Sequence, residues 1–165
     1  MEQWLKLSVI SGILTSAIWI AVAFISPVHL YNPWLGWLPV VVTLGFMGSW
    51  GFLYGKDIME FRPLVSVLFK MYVVSMGLYY LADFLLYQGM IKGLGQLRLE
   101  ESIRRLNENM GVLGEENARE LEKRWREEGE EYRISALFMN FARSLMGGFL
   151  GAALLTFFIL RNNKS

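Results

Sequence analysis

The chain has no cysteine and only one histidine, His29. The missing thiols exclude disulfide bonds, thiolate catalysis and cysteine metal sites. A single imidazole also excludes a histidine-rich metal centre, so we expect no metal and no cofactor. The sequence contains no GxSxG, HExxH or P-loop motif. It therefore predicts a protein that is not an enzyme.

Charged residues are scarce, at 19% of the chain, while hydrophobic residues make up 54%. A soluble domain of this size usually carries about 25% charged residues. The stretch from Lys92 to Arg133 holds nine of the sixteen Lys and Arg residues and eleven of the fifteen Asp and Glu residues. The remaining chain has too little charge for a soluble surface. The net charge of +1 also shows no excess of basic residues for binding nucleic acid. The composition predicts a membrane protein in contact with the lipid bilayer.

Four apolar runs are long enough to cross a bilayer, because its hydrocarbon core of about 30 Å needs about 20 helical residues. The four runs extend over about residues 7–25, 37–54, 64–87 and 134–160. The first run has an alternative interpretation as a secretory signal peptide, since Ala21-Val22-Ala23 resembles a cleavage site. Its length and its weakly basic start favour a retained span. The sequence thus predicts one all-α domain, residues 1–165, with four transmembrane helices.

Small residues recur in these runs at intervals of one helical turn. They are Ser8-xxx-Gly12-xxx-Ser16 in the first run, Gly45-xxx-Ser49 and Gly51-xxx-Gly55 in the second, and Ser144, Gly147, Gly148, Gly151 and Ala152 in the fourth. Small residues at this spacing let neighbouring helices approach closely in a membrane. The pattern predicts tight packing and no particular function.

The polar stretch 93–133 lies between the third and fourth runs. Its apolar residues recur at intervals of three and four on both sides of Gly111 and Gly114, which is the period of amphipathic helices. Glu precedes Arg by four residues, the favourable order for a helical ion pair, at five places: Glu100–Arg104, Glu101–Arg105, Glu115–Arg119, Glu120–Arg124 and Glu122–Arg126. We predict a charged helical hairpin, with helices over about 96–110 and 115–128. With no proline after Pro63, the second helix can continue into the fourth span.

The orientation depends on the positive-inside rule, and four spans place both termini on one side. With cytoplasmic termini, the inner side holds Lys6, Lys56, Arg62, Arg161 and Lys164. The turn at 26–36 then lies outside and holds no Lys or Arg, as the rule requires. The stretch from Lys92 to Arg133, which contains the hairpin, also lies outside, and its nine basic residues conflict with the rule. We favour cytoplasmic termini, and the opposite orientation stays open.

Four polar residues interrupt the last two spans: Lys70, Asp83, Asn140 and Arg143. An ionisable group inside a membrane is costly and is normally paired or functional. Lys70 can extend its side chain back to the interface, whereas Asp83 is too short to do so. Asp83 lies about 6 Å and Arg143 about 13 Å from the same membrane face. We therefore predict an intramembrane ion pair between Asp83 and Arg143.

The predicted pair has two interpretations. It either fixes the register of spans three and four or belongs to an ion or proton pathway. Its candidate hydrogen-bond partners are Tyr79, Tyr80, Tyr87 and Asn140. Asp83 is the only aspartate in the four runs, which excludes proteolysis by paired intramembrane aspartates.

The order of features resembles a known family. The features are two N-terminal spans, the charged turn Tyr54-Gly55-Lys56-Asp57, a third span, a Glu-rich passage with Asn109-Met110-Gly111 and Glu115-Glu116, and a glycine-rich span that ends at Arg161. This layout is similar to the four-helix membrane proteins of Bacteroidota known only as a domain of unknown function (number 4199). The resemblance implies an uncleaved first span and a bacterial inner membrane. It implies no activity and no site residues.

Two functions remain open at the level of the sequence. The first is a non-catalytic interaction or assembly protein that contacts a protein partner, or a second copy of itself, through hairpin 93–133. The alternative is a small oligomeric transporter or channel that uses Lys70, Asp83 and Arg143. The hairpin either packs on the membrane surface or projects from it.

Overall fold

The computed structural model of the chain describes residues 2–25, 33–55, 58, 60–86 and 93–162. In these ranges it contains helices and no β-strand. The helices are α1 (Glu2–Ile25), α2 (Pro33–Tyr54), α3 (Phe61–Leu85), α4 (Leu94–Glu108), α5 (Met110–Leu113) and α6 (Glu115–Asn162). Four segments are long and apolar enough to cross a membrane: Gln3–Ile25, Trp34–Tyr54, Phe61–Leu85 and Leu137–Asn162. The predicted all-α fold with four candidate membrane spans is confirmed.

The helices begin earlier than the apolar runs suggest, because proline is tolerated in a first helical turn. α2 begins at Pro33 rather than near residue 37. α3 begins at Phe61 and takes Pro63 into its first turn, after Glu60 in an extended conformation. Pro39 lies inside α2, where a membrane helix can compensate the lost backbone hydrogen bond. The predicted end of the third span at residue 87 lies outside the described residues.

α3 is the central helix of the bundle. It packs against α1, α2 and α6, and its contact with α1 is the most extensive in the fold. Six of its side chains are at most 2% exposed: Leu64, Leu68, Met71, Tyr72, Ser75 and Met76. Since helices of uniformly apolar sequence carry no directional signal, these contacts decide which side of each span faces inward.

Several glycines lie directly against a neighbouring span. A Cβ atom on Gly12 of α1 would lie 2.8 Å from Leu78 Cδ1 and 3.0 Å from the Ser75 carbonyl oxygen, both on α3. A Cβ on Gly148 of α6 would overlap the Tyr72 ring. The predicted tight packing is confirmed at these positions. At Gly45 no described helix packs closely, since a Cβ there would have no described atom within 4 Å.

α6 runs without interruption from the polar stretch to the C-terminal end of the bundle. It has 48 residues and is therefore about 72 Å long. The predicted continuation of the second polar helix into the fourth span is confirmed. Before it, α4 and α5 occupy the rest of the polar stretch, with Gly93 (φ 80°) preceding α4 and Gly114 (φ 83°) preceding α6. Both glycines adopt left-handed backbone that other residues rarely accept.

The residues 94–127 of α4, α5 and the first part of α6 are called the charged extension below. α4 and α5 both contact α6. Three residues of the apolar stripe are buried, with Ile103 5%, Leu106 6% and Ala118 0% exposed, while Leu121 and Trp125 are partly exposed. Part of the apolar stripe is thus covered by the chain itself. What the extension presents to its surroundings is mainly charge.

Ion pairs along the helices follow much of the predicted pattern. Three of the five predicted pairs are formed: Glu101–Arg105 at 3.1 Å, Glu115–Arg119 at 3.6 Å and Glu122–Arg126 at 2.8 Å. Arg104 differs, since it contacts Glu101 at 2.7 Å and Glu108 at 3.5 Å rather than the predicted Glu100. Residues three apart also lie side by side on a helix, which explains the exchange.

Acid is expected to weaken α4 through Glu101. The hydrogen bond from Arg104, helped by that from Arg105, lowers the pKa of the Glu101 carboxyl below its ordinary value of 4.5. Because the pKa is lowered in the folded protein, the stabilisation is present above the ordinary pKa and disappears as the pH falls through the lowered one. Amide exchange, corrected for intrinsic rates, should show reduced protection of α4 in strong acid.

The variant Glu101→Gln is expected to show the reduced protection of α4 already at pH 7. Glu100→Gln, at the exposed neighbouring position, is the matched control and should exchange like the parent protein. If the Glu101→Gln protein keeps the full acid dependence of exchange in α4, the assignment to this carboxyl is wrong.

Candidate functional site

Buried polar side chains form a row between the first three spans. Ser11 on α1, Thr43 on α2 and Ser75 on α3 are each at most 1% exposed. Ser75 Oγ donates to Ser11 Oγ at 3.0 Å, and Thr43 Oγ1 lies 3.0 Å from Ser75 Oγ. A hydroxyl has one proton, so Ser75 accepts from Thr43. The three hydroxyls form a directed row that joins three helices, which we call the hydroxyl row.

The face of α1 that contacts α3 carries further hydroxyls. Thr15 Oγ1 lies 3.0 Å from the carbonyl oxygens of Ser11 and Gly12. Ser16 Oγ donates to the Gly12 oxygen at 2.7 Å and approaches the Leu78 oxygen of α3 at 3.3 Å. Most of these hydroxyls are satisfied by the backbone of their own helix, as is usual for Ser and Thr in membrane helices. They line the contact between α1 and α3.

Asp83 lies at the end of this contact nearest the charged extension. It is 4% exposed, and its Oδ1 accepts a hydrogen bond of 2.8 Å from Trp19 Nε1 on α1. Trp19 is six residues before Ile25, and Asp83 is two before Leu85, so the two helix ends lie on one membrane face. A buried carboxylate needs such donors because it has lost its hydration. This bond was not predicted.

An edge-to-face series of rings continues from Trp19 across the bundle. Trp19 and Tyr79 have ring centroids 5.4 Å apart, Tyr79 and Tyr80 5.2 Å, and Tyr80 and Phe141 5.3 Å. The series connects α1 through α3 to α6. Tyr79 and Tyr80 were predicted as hydrogen-bond partners of the ion pair, and the structure places both of them in this aromatic series.

The remaining polar residues that the sequence singled out in the spans are not shown in contact with Asp83. Arg143 is exposed on α6, Lys70 is exposed on α3, and Asn140 is partly exposed. Tyr87 lies outside the described residues. The contact shown for the Asp83 carboxylate is with Trp19, and the ion pair with Arg143 stays a prediction.

The depth of Arg143 was estimated from the sequence, but its direction was not. Ser144 Oγ lies 2.8 Å from the Tyr72 hydroxyl of α3, so position 144 faces the bundle. The preceding residue is rotated by about 100° around a helix of 3.6 residues per turn. This rotation takes the Arg143 side chain to the outer surface of α6.

Grooves on the outer surface of the spans are lined by described residues of α2, α3 and α6. One, of about 360 Å³, lies between α3 and α6 and includes Gly77 and Phe138 in its lining. Another, of about 420 Å³, lies beside α2 and includes Gly45 and Ser49. Among the described residues, no group of three or more His, Asp or Glu side chains is placed to hold a metal ion.

Removing the central hydroxyl of the row is expected to destabilise the bundle. Ser75→Ala leaves the buried Thr43 hydroxyl with only the weak sulfur acceptor Met76 Sδ, at 3.8 Å, and removes the donor to Ser11. Leaving a buried polar group unsatisfied costs about 1–3 kcal/mol. The measurement is the free energy of unfolding in detergent micelles, titrated with a denaturing detergent.

The matched control for Ser75→Ala is Ser49→Ala on α2. Ser49 is exposed, and its hydroxyl donates to the Gly45 oxygen of its own helix at 2.9 Å. We expect little change in stability from this variant. Equal losses in the two variants would contradict a special contribution of the hydroxyl row.

Comparison of the chain with protein-family models, with curated proteins and with solved structures gives no match. The resemblance to the four-helix family therefore rests only on the layout of the sequence and stays a prediction. The function has to follow from the geometry of the bundle and its charged extension.

Proposed function

We propose that the chain is a non-catalytic assembly protein of a bacterial inner membrane, with cytoplasmic termini, that binds another protein through its charged extension. One observation carries the proposal: α6 is a single helix from Glu115 in the extension to Asn162 in the bundle. The extension is therefore joined to the fourth span by continuous helix. An attached partner is held at a fixed distance from the membrane.

The surface of the extension favours a partner with complementary charges. Part of its apolar stripe is already buried, including Ile103 and Leu106 of α4. Exposed acidic and basic side chains are interspersed along the first part of α6. Charge arrangements of this kind contribute specificity and association rate more than affinity. We therefore expect a reversible, salt-dependent complex.

A groove on the first part of α6 gives a place for contact. It has a volume of about 360 Å³ and is lined by Asn117, Glu120, Leu121 and Arg124. Leu121 supplies an apolar floor that is partly exposed, and the other three supply polar edges. A partner side chain inserted here would meet both kinds of surface. The groove defines where the proposal is tested.

The test is photo-crosslinking in cells that produce the full chain. A photoreactive amino acid replaces Glu120 in the groove of the extension. We expect an adduct of defined mass with one other protein, weakened at high salt in membrane preparations. The same amino acid at Val41, exposed on α2 within a span, is the control and should give no such adduct. Absence of a protein adduct at Glu120 contradicts the proposal.

The alternative, a small oligomeric transporter or channel, is favoured by the buried Asp83 in α3. Lys70 and Arg143 are exposed on the outer surface, so a pathway that uses them would run between subunits rather than through one bundle. Asp83 instead contacts α1 of its own chain. Proteoliposomes distinguish the two functions: proton or ion flux that Asp83→Asn abolishes would support transport.

A further inference from the structure

We propose that the outer face of α3 binds a transmembrane helix of another protein, and that this helix carries an Asp or Glu near its middle opposite Lys70. The inference deepens the proposed function and rests on it, because it names a second contact surface and the chemistry of the partner. It is carried by the position of Lys70, by an open groove on the same face and by the lack of a carboxylate in the chain to serve this lysine.

Lys70 lies deep within its span and faces away from the bundle. It is nine residues after Phe61 in a helix of 25 residues, so its Cα lies about 5 Å from the level of the middle residue, Val73. Its side chain is exposed, and none of the ion pairs among the described residues includes it. An ammonium group at this depth on a lipid-facing surface is costly unless a counter-charge reaches it.

The face of α3 that carries Lys70 also has room for a helix. Gly77 lies seven residues further, two turns along the same face, and a Cβ there would meet no described atom within 4 Å. Beside it is the groove of about 360 Å³ between α3 and α6. Its lining is largely apolar and includes Leu81 and Phe84 of α3 and Leu137 and Phe141 of α6. A glycine beside such a groove permits close approach of another helix.

A second copy of the chain does not provide the missing carboxylate. Asp83 is the only acidic residue in the four candidate spans. It is 4% exposed and bonded to Trp19 of its own α1, so it is not available to Lys70 of another copy. The counter-charge therefore belongs to a different protein. A carboxylate at mid-span on the partner helix would meet Lys70 while that helix packs on Gly77.

The test uses the full-length protein in vesicles of phosphatidylcholine. The probe is a synthetic transmembrane peptide of leucine and alanine with one central Glu, and two further peptides carry Gln or Lys at that position. Association is measured by energy transfer between labels on the protein and the peptide. We expect the Glu peptide to associate at least about tenfold more tightly than the Lys peptide, because opposite charges attract strongly in a medium of low dielectric constant.

Variants of the protein test whether the preference for the Glu peptide comes from Lys70 and Gly77 on the outer face of α3. Lys70→Gln should abolish the preference for the Glu peptide, and Lys70→Arg should retain it. Arg143→Gln is the matched control, since Arg143 is an exposed cation of the neighbouring span, and the preference should remain. Gly77→Leu should weaken association of the Glu peptide, whereas Gly147→Leu, at another open glycine, should not.

Equal association of the three peptides would overturn the inference and would show that Lys70 extends to the interface instead. A preference that survives Lys70→Gln would overturn it as well. Crosslinking from Glu120 in the charged extension serves as the independent readout. Because it does not involve Lys70, a failure at Glu120 affects the proposed function, and a failure with the peptides affects only this surface.

Discussion

Gly148→Leu is expected to prevent stable folding of the bundle, whereas Gly147→Leu is expected to leave it folded. The two glycines are consecutive residues of α6, so they lie in the same helix and the same part of the sequence. A Cβ on Gly148 would overlap the ring of Tyr72 on α3, while a Cβ on Gly147 would meet no described atom within 4 Å. The pair thus separates packing from every other effect of replacing a glycine.

The alanine variants give the magnitudes. Alanine is favoured over glycine in a helix by up to about 1 kcal/mol, so Gly147→Ala should be neutral or slightly stabilising. Gly148→Ala has the same helical gain but overpacks the Tyr72 contact, which costs about 1–3 kcal/mol. Unfolding by denaturing detergent, followed by tryptophan fluorescence, measures both. Equal midpoints for the two alanine variants would contradict the close approach of α6 and α3.

A second-site change checks that the clash is with Tyr72. The Tyr72 side chain is 1% exposed, and its hydroxyl lies 2.8 Å from Ser144 Oγ. Tyr72→Leu alone should destabilise by loss of the ring. Combined with Gly148→Ala, it should cost less than the sum of the two single losses, because residues in contact are not additive.

Trp19→Phe is expected to destabilise the fold by about 1.5–3 kcal/mol, the usual range for a hydrogen bond to a charged group. The substitution keeps an aromatic ring beside Tyr79 and removes the N–H that donates to Asp83 at 2.8 Å. The carboxylate stays buried with one donor fewer. Trp37→Phe, at a tryptophan that is 63% exposed, is the matched control and should have little effect.

A double-mutant cycle assigns the effect to this bond. Asp83→Leu removes the carboxylate, so Trp19→Phe in that background should cost less than in the parent protein. The same cycle with Arg143→Gln tests the predicted ion pair. If Asp83→Asn and Arg143→Gln lower the stability independently of each other, no such pair exists. A strong coupling between them would place Arg143 at this carboxylate.

The sequence is informative about properties that depend on one helix at a time. Four long apolar runs are sufficient for four candidate spans, since length and hydropathy alone set whether a helix can cross a bilayer. The absence of proline after Pro63 predicts the continuous α6. The spacing of Glu and Arg predicts three of the six ion pairs that the structure shows among the described residues, because each pair lies within a single helix.

Properties that depend on which side of a span faces inward are not available from this sequence. The spans are apolar on all sides, so periodicity does not distinguish a buried face from a lipid-facing one. Gly45 and Gly51 look alike in the sequence, yet a Cβ would be free at Gly45 and would overlap Ile159 at Gly51. The bond between Trp19 and Asp83 was missed for the same reason.

The unbroken α6 also determines how movement in the membrane reaches the tip of the extension. From Leu137, where the fourth candidate span begins, the helix continues for 22 residues to Glu115, a distance of about 33 Å. Tilting such a rod by about 10° displaces its free end by about 6 Å. Because the helix is continuous, a small tilt of the fourth span is amplified into a side-chain-sized displacement at the extension.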